Sequence, residues 1–120
     1  MTAPRHHAIN YVELTAPDFA AVKAFYGSVF GWTFTAWGGD YISFDPEEAG
    51  IDGGFAKGEA GQRGGALLVI HSDHLEGTRE AVLAAGGAIT VDIFSFPGGR
   101  RFQFRDTSGN ELSAWTATAE

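Results

Sequence analysis

Two glutamates and one histidine are the side chains of this sequence best placed to move a proton. Glu13 lies at an alternating position beside Tyr11, and His71 ends an apolar run of strand length. A carboxyl group in a buried pocket has a raised pKa and can act as a general base. We therefore nominate Glu13 and His71 as candidate catalytic residues and Glu111 as a candidate ligand-binding residue. The simpler alternative is that both glutamates lie at exposed strand ends and that His71 is a structural residue at a rim.

The numbers of histidine and cysteine residues limit the metal and thiol chemistry that the chain can perform. The chain has four histidines and no cysteine, which excludes disulfides, thiolate metal sites and cysteine nucleophiles. We interpret His6 and His7 as part of a solvated N-terminal arm and His74 as the residue at the start of a helix. The lack of cysteine also fits a cytoplasmic protein.

Aromatic and basic side chains offer a second kind of site. Flat rings suit planar or apolar ligands, and Trp115 and Phe55 are expected either to line a cavity or to pack in the core. The pair Arg100 and Arg101 could bind an anionic group, although two charges on a turn are usually solvated. The aromatic residues expected to pack beneath a sheet are Phe19, Phe25 and Phe30.

Hydrophobic periodicity predicts the elements of the first half. Residues 9–14 alternate as a strand does, and apolar residues then recur at helical spacing between an N-cap at Asp18 and a C-cap at Gly31. Further strands are expected at 32–37, 41–44 and 51–57, with a loop at 46–50. In the last of these strands Gly53-Gly54 indicates a bulge or a close approach of backbone or ligand.

The second half repeats this order after a polar, glycine-rich connector. An apolar strand at 66–71 precedes a helix for which Asp73 and Glu76 form a capping box and Gly86-Gly87 the stop. Strands follow at 88–96 and 101–105, and Gly109-Asn110 supplies the turn of a final hairpin.

An offset of 56 residues relates the two halves. It carries Asp18 onto His74 and Gly31 onto Gly87, so that helix start and helix stop agree. The sequence therefore predicts a duplicated unit, the alternative being a coincidence within an ordinary α+β protein.

Composition and charge restrict the partners. The 120 residues suit one compact domain, and 44% hydrophobic residues are enough to form a core. With a net charge of −7 and no long basic cluster, nucleic acid is a poor partner. No apolar run approaches the roughly 20 residues needed to span a bilayer, so we expect no membrane partner either.

Three segments of the chain resemble the vicinal oxygen chelate (VOC) superfamily. They are the strand 9–14 followed by Asp18, the segment 24–32 with its Phe-Tyr-x-x-Val-Phe-Gly-Trp run, and the turn 106–110. That superfamily includes glyoxalase I, bleomycin-resistance proteins, fosfomycin-resistance enzymes, methylmalonyl-CoA epimerase and extradiol dioxygenases. The resemblance spans about residues 7 to 116 and implies a single VOC domain.

The fold implied by this resemblance is α+β. It consists of two βαβββ modules, at about 7–57 and 66–116 with a connector at 58–65, whose mixed sheet forms a cup with helices on its outer face. Such a cup holds a small ligand and is commonly completed in a homodimer.

The resemblance also locates the positions that hold a divalent metal in this family, where His, Glu or Gln let the ion polarise substrate oxygens. They correspond to Tyr11, Leu67, Ser113 and one residue within 53–56. None is a strong metal ligand, so the sequence predicts no cofactor at these positions and leaves a divalent metal possible only at a displaced site. The residues then expected to line the ligand site are Tyr11, Phe55, Leu67, Glu111, Ser113 and Trp115.

Two functions follow from these observations. In the first, the protein binds and sequesters a small molecule without a metal, as bleomycin-resistance proteins do, and its acidic charge suits a cationic ligand. In the second, it is a lyase or isomerase of glyoxalase type that uses a displaced metal site or acid–base chemistry by Glu13 and His71. The sequence leaves open whether the protein is an enzyme.

Overall fold

The computed structural model describes His6, residues 11–59 and residues 67–117 of the chain. Their elements, in chain order, are β1 (Tyr11–Ala16), α1 (Phe19–Phe30), β2 (Phe34–Ala36), β3 (Tyr41–Phe44), α2 (Pro46–Ala49), β4 (Asp52–Lys57), β5 (Leu68–His71), α3 (Leu75–Ala84), β6 (Ala88–Phe96), β7 (Gly99–Arg105) and β8 (Glu111–Ala117). The predicted duplicated order is confirmed, since each half runs strand, helix and three strands. The predicted strand at 9–14 lies partly outside the described residues, as does the connector.

The strands form two four-stranded mixed sheets. Their orders are β1-β4-β3-β2 and β5-β8-β7-β6. In each sheet the first strand pairs in parallel with the last strand of its module, and the other pairs are antiparallel. This arrangement confirms the predicted α+β class and the two βαβββ modules. In the part of the chain that the structure describes, no helix is long and apolar enough to cross a membrane.

The two long helices begin in different ways. The side chain of Asp18 accepts hydrogen bonds from the backbone N–H groups of Ala20 and Ala21, and α1 ends at Gly31 with a φ of 76°, as predicted. The capping box predicted for α3 is wrong, because the N-cap is His74 and its side chain makes no capping bond. The side chain that binds a backbone N–H at the start of α3 is instead that of Ser72, whose Oγ accepts a hydrogen bond from the His74 N–H at 3.0 Å.

The segment predicted as a loop at 46–50 is a short helix. Asp45 accepts a hydrogen bond from the Glu47 N–H, Pro46 occupies the first turn, and Gly50 closes α2 with a φ of 88°. Proline at the first helical position needs no N–H partner there, so the Asp-Pro pair begins a helix. Glu48 then accepts hydrogen bonds from the backbone N–H and the hydroxyl of Thr33, which tie α2 to the start of β2.

A single hydrophobic core joins the two modules. The ring of Tyr26 in α1 packs against Phe55 of the first sheet, and the ring of Phe25 stacks on Phe104 of the second sheet at 6.2 Å between centroids. The sheet residues buried in this core include Ile42, Phe44, Phe55, Phe102, Phe104, Leu112 and Ala114. Because side chains alternate along a strand, the residues between them lie on the opposite face. We call this face, which is turned away from the core, the open face of each sheet.

The turn that carries the Asp-x-x-Gly-Asn motif forms a buried polar network between the modules. Asp106 accepts hydrogen bonds from the Tyr26 hydroxyl at 2.7 Å and from the backbone N–H groups of Ser108 and Asn110 at 2.8 and 2.9 Å. The Asn110 amide in turn donates to the Thr15 carbonyl of β1 at 3.1 Å. The motif therefore has a structural role, because it fixes the last hairpin to the helix and first strand of the other module.

The glycine pair in β4 marks a close approach and not a bulge. The pairing of β4 with β1 and β3 is regular throughout. A Cβ atom at Gly53 would overlap the Val12 carbonyl oxygen and the ring of Phe44, and one at Gly54 would lie 2.9 Å from the ring of Tyr41. The glycines thus let two aromatic side chains lie directly over the strand, one on each face.

Candidate functional site

A cavity lies on the open face of the first sheet. Its volume is about 600 Å³, which is within the range of small-molecule sites. Side chains of β1, β2, β3 and β4 line it, together with the loop after β2. Its lining includes Tyr11, Thr35, Trp37, Tyr41, Ser43 and Asp52.

Two tyrosines meet at this face. The hydroxyl groups of Tyr11 and Tyr41 hydrogen-bond to each other at 2.5 Å. Burial raises the pKa of the Tyr41 phenol, and the hydrogen bond with Tyr11 and the carboxylate of Glu13 raise it further. Tyr41 therefore keeps its proton at neutral pH and acts as a neutral hydrogen-bonding group.

Trp37 forms an exposed apolar surface at the cavity. Its side chain is 64% exposed, and its indole N–H donates to the Ser43 hydroxyl at 2.8 Å. Since this hydrogen bond fixes the ring while its faces remain accessible, Trp37 can contact a planar or a cationic ligand.

The cavity lining is acidic. Asp45 and Asp52 contribute carboxylates, whereas no lysine or arginine lines it among the described residues. Asp45 also caps α2. The electrostatic character of this site is therefore that of an acceptor for hydrogen-bond donors and positive charge.

The open face of the second sheet brings together other predicted residues. Glu111 accepts hydrogen bonds from the Thr90 hydroxyl at 2.7 Å and from the Gln103 amide at 3.2 Å. The ring of Trp115 meets that of His71 edge to face at 5.5 Å. The hydroxyl of Ser113 is fully buried and donates to the Phe102 carbonyl at 3.0 Å.

Two candidate residues lie away from a shared site. Phe55 was expected to line the cavity, yet its ring is fully buried in the core against Tyr26 and Phe44. It faces the core because it pairs in register with Leu14 and Ile42, two residues of the core face. Leu67, which precedes β5, is 37% exposed.

The nominated acid–base residues belong to different sheets. Glu13 is on β1, beside Tyr41, and His71 is on β5, where its Nδ1 lies 3.9 Å from an oxygen of Asp73. No hydrogen bond or ion pair joins Glu13 to His71 within the described part of the chain. A reaction that used both would need a ligand or a second subunit to bring the two faces together.

The residues at the family's metal positions do not fit a divalent ion. Tyr11 is hydrogen-bonded to Tyr41, Ser113 is buried against a backbone carbonyl, and an aliphatic side chain stands at Leu67. Across residues 11–59 and 67–117, no three His, Asp or Glu side chains are grouped so that they could hold a metal. We therefore assign no chemical step to a metal in this chain.

Several residues of the cavity were not singled out from the sequence. Thr35, Tyr41, Ser43 and Asp52 lie there because β3 pairs with both β2 and β4. The alternation of Tyr41 and Ser43 with Ile42 and Phe44 was a usable signal, since it separates polar from apolar positions. The strand order needed to place them beside Tyr11 could not be obtained from periodicity.

Paired βαβββ modules around one core and an open polar face define a fold shared with many solved structures. A glyoxalase/bleomycin resistance protein/dioxygenase family enzyme from Burkholderia phytofirmans PsJN has a TM-score of 0.76 at 18% identity, covering 91% of this chain and 98% of that one. The fosfomycin resistance protein FosX from Listeria monocytogenes, complexed with Mn(II) and 1S,2S-dihydroxypropylphosphonic acid, has a TM-score of 0.79 at 16% identity, with 97% and 94% covered. Lactoylglutathione lyase from Agrobacterium tumefaciens has a TM-score of 0.69 at 19% identity, with 93% and 95% covered.

Sequence comparison gives the family. The model of the Glyoxalase/Bleomycin resistance protein/Dioxygenase superfamily matches residues 8–113. The chain belongs to this superfamily, which confirms the resemblance inferred from its motifs. A search of curated proteins returned no significant match, and the structural likenesses, all at low identity, show the fold alone.

Proposed function

We propose that this protein binds a small molecule at the open face of the first sheet without using a metal, and that it acts by sequestering its ligand as bleomycin-resistance proteins do. The observation that carries the proposal is the cavity of about 600 Å³ with hydrogen-bonding walls and an exposed Trp37. The hydroxyl groups at the family's metal positions are already engaged in hydrogen bonds within the chain.

The charge of the cavity supports a ligand with a cationic group. Asp45 and Asp52 give the lining its acidic character, and the indole of Trp37 offers a ring face to a cation. A protein of net charge −7 also attracts cations at long range. The absence of cysteine supports a place in the cytoplasm, where thiols are kept reduced.

We further propose that the functional unit is a homodimer. The two sheets share one core, so the open face of each is available for a second copy to cover. Large apolar side chains are exposed on these faces, with Tyr11 at 44%, Trp37 at 64%, Val69 at 47% and Val91 at 38%. A closed two-fold dimer would place such surfaces opposite one another and complete a cup around the cavity.

A thermal-shift experiment tests the binding proposal, with bleomycin as the cationic probe and the hemithioacetal of glutathione and methylglyoxal as the enzymatic probe. Because a ligand that binds only the folded state raises its melting temperature, bleomycin should stabilise the wild-type protein. The variant Trp37→Ala should lose most of this shift, since the exposed indole is removed while the core is left intact. Treatment with a chelator should leave the shift unchanged.

A matched variant controls for loss of exposed apolar surface elsewhere. Leu83→Ala removes a side chain that is 42% exposed on α3 and should retain the bleomycin shift if the ligand lies against the first sheet. An equal loss in both variants, or no shift in the wild type, would contradict the proposed site.

The alternative function is an isomerase or lyase of glyoxalase type. It is favoured by the position of Glu13 beside Tyr41 on the open face, where a carboxylate could act as a general base toward a bound ligand. Turnover of the hemithioacetal that is abolished by Glu13→Gln would support this alternative and would overturn sequestration as the function.

A further inference from the structure

The guanidinium group of Arg101, which makes no ion pair among the described residues, lies on the open face of the second sheet. Arg101 is on β7 between Phe94 of β6 and Trp115 of β8, its register partners on the two neighbouring strands. The guanidinium carbon lies 5.2 Å from the ring centroid of Phe94 and 5.8 Å from that of Phe96. Its Nε–H is buried and has no acceptor among the residues that the structure describes.

The neighbouring arginine, Arg100, has a carboxylate partner. Because side chains alternate along β7, Arg100 points to the other side of the sheet, where it donates to both carboxylate oxygens of Glu76 at 2.5 and 3.3 Å. Arg79 is likewise paired with Asp92, at 2.8 and 3.0 Å. Arg101 has no such ion pair within the described ranges, although the chain carries 15 acidic residues.

The nearest carboxylate on the same face of the neighbouring strand is engaged elsewhere. Glu111 pairs in register with Arg105, and Trp115 pairs with Arg101. The two positions on β8 are four residues apart, or about 13 Å along a strand. Glu111 already accepts hydrogen bonds from Thr90 and Gln103, so it serves a separate polar cluster.

The rings around Arg101 prepare it to bind an anion. Contact with the two phenylalanine rings removes part of the hydration of the guanidinium. A charged donor that lacks a partner in such surroundings is unfavourable until an acceptor arrives. The planar guanidinium matches the paired oxygens of a carboxylate, phosphonate or phosphate better than an ammonium group does.

We propose that Arg101 binds an oxyanion group of the ligand and that the attached body of the ligand is planar and apolar, so that it contacts Trp115 and the two phenylalanines. This inference rests on the proposed ligand-binding function and adds a second recognition element to it. The ligand group inferred from Arg101 is therefore an oxyanion, whereas the acidic lining of the first-sheet cavity suits a cationic group.

Benzoate and phenylphosphonate are suitable probes, and benzamide is their neutral counterpart. Binding is measured by quenching of tryptophan fluorescence, because Trp115 lies beside Arg101 on the neighbouring strand. The wild-type protein should bind both oxyanions more tightly than benzamide. Arg101→Gln should weaken oxyanion binding by about 10- to 100-fold, the usual effect of losing a charged hydrogen bond, while benzamide binding should change little.

Two further variants make the test specific. Arg101→Lys keeps the positive charge but loses the paired N–H donors of the guanidinium, so it should bind oxyanions with intermediate affinity. Arg100→Gln is the matched control, since it removes one arginine from the adjacent position and should leave oxyanion affinity unchanged. Equal weakening in Arg100→Gln and Arg101→Gln would indicate a general charge effect and would overturn the inference.

The remaining outcomes separate this inference from the proposed function. If bleomycin stabilises the protein but neither oxyanion binds, the Arg101 inference fails while the proposed function stands. If no probe of either kind binds, both fail. If Arg101→Gln converts a dimer into a monomer in sedimentation, the guanidinium is a subunit contact and the inference is again overturned.

Discussion

Arg100 and Arg101 show how neighbouring residues of one type acquire different chemistry. Arg100 makes a two-point ion pair with Glu76, whereas Arg101 lies over the rings of Phe94 and Phe96 and makes no ion pair among the described residues. From the sequence the pair was expected to be solvated at a turn, with a strand following at 101–105. The strand in fact begins at Gly99, so the two side chains lie on opposite faces and only one can contribute to a ligand site.

Tyr26 is the residue whose ionisation should be most visible in the stability of the protein. Burial, and then the carboxylate of Asp106, raise the pKa of its phenol well above the ordinary value of 10.0. Above about pH 10 an unfolded chain releases this proton while the folded chain retains it. The unfolded state then binds fewer protons, so the stabilisation present below pH 10 is lost progressively as the pH rises.

The variant Tyr26→Phe tests this argument. It should lower the free energy of unfolding at neutral pH by about 1 to 3 kcal/mol, because Asp106 loses a buried donor. Above pH 10 the free energy of unfolding of the variant should fall less steeply with pH than that of the wild type. The difference between the two slopes should be about 1.4 kcal/mol per pH unit. Urea unfolding at a series of alkaline pH values measures both effects, and parallel curves for the two proteins would contradict the prediction.

The helices α1 and α3 occupy equivalent places in the two modules but differ at their first turns. Asp18 bonds the free N–H groups of α1, whereas His74 makes no side-chain capping bond to α3. We therefore predict that Asp18→Ala lowers the free energy of unfolding by about 1 kcal/mol. The matched variant His74→Ala should change it by no more than a few tenths of a kcal/mol. Chemical denaturation measures both, and an equal loss in the two variants would contradict the assignment of the caps.

The elements that sequence analysis predicted well are those determined by local chemistry. The caps of α1, the strand 88–96 and the hairpin at Gly109-Asn110 follow from the residues that form them. The capping box of α3 failed because Glu76 can also reach Arg100, a partner 24 residues away. The helix at Pro46–Ala49 was missed because its length of four residues gives no periodicity to detect.

The candidate site was predicted less completely, because it depends on strand order. Tyr11 was chosen from its place on the first strand, but its partners Tyr41 and Ser43 come from a strand two positions away in the sheet. Phe55 was placed on the wrong side of β4 because Gly53 and Gly54 carry no side chain to indicate which face is apolar. Only the pairing with β1 and β3 decides this.

At the scale of the whole molecule, one hydrophobic core contains residues of both modules. Aromatic residues of α1 contact both sheets, and the Asp106 network links β1, α1 and the last hairpin. Because both sheets use one face for this core, the open face of each sheet is not covered by the other sheet within the described chain. Under the proposed dimer, assembly with a second copy would bury apolar residues that are exposed on these faces.

Sedimentation of wild-type and variant proteins tests this assembly. The wild type should sediment as a dimer of the 12.8 kDa chain, with a melting temperature that rises with protein concentration. Val69→Glu places a charge on the open face of the second sheet and should shift the equilibrium to monomer, because burying an unpaired carboxylate is costly. Leu83→Glu is the matched control, since Leu83 is 42% exposed on α3, compared with 47% for Val69. A dimer that tolerates Val69→Glu but is lost in Leu83→Glu would show that the helices, and not the open faces, form the interface.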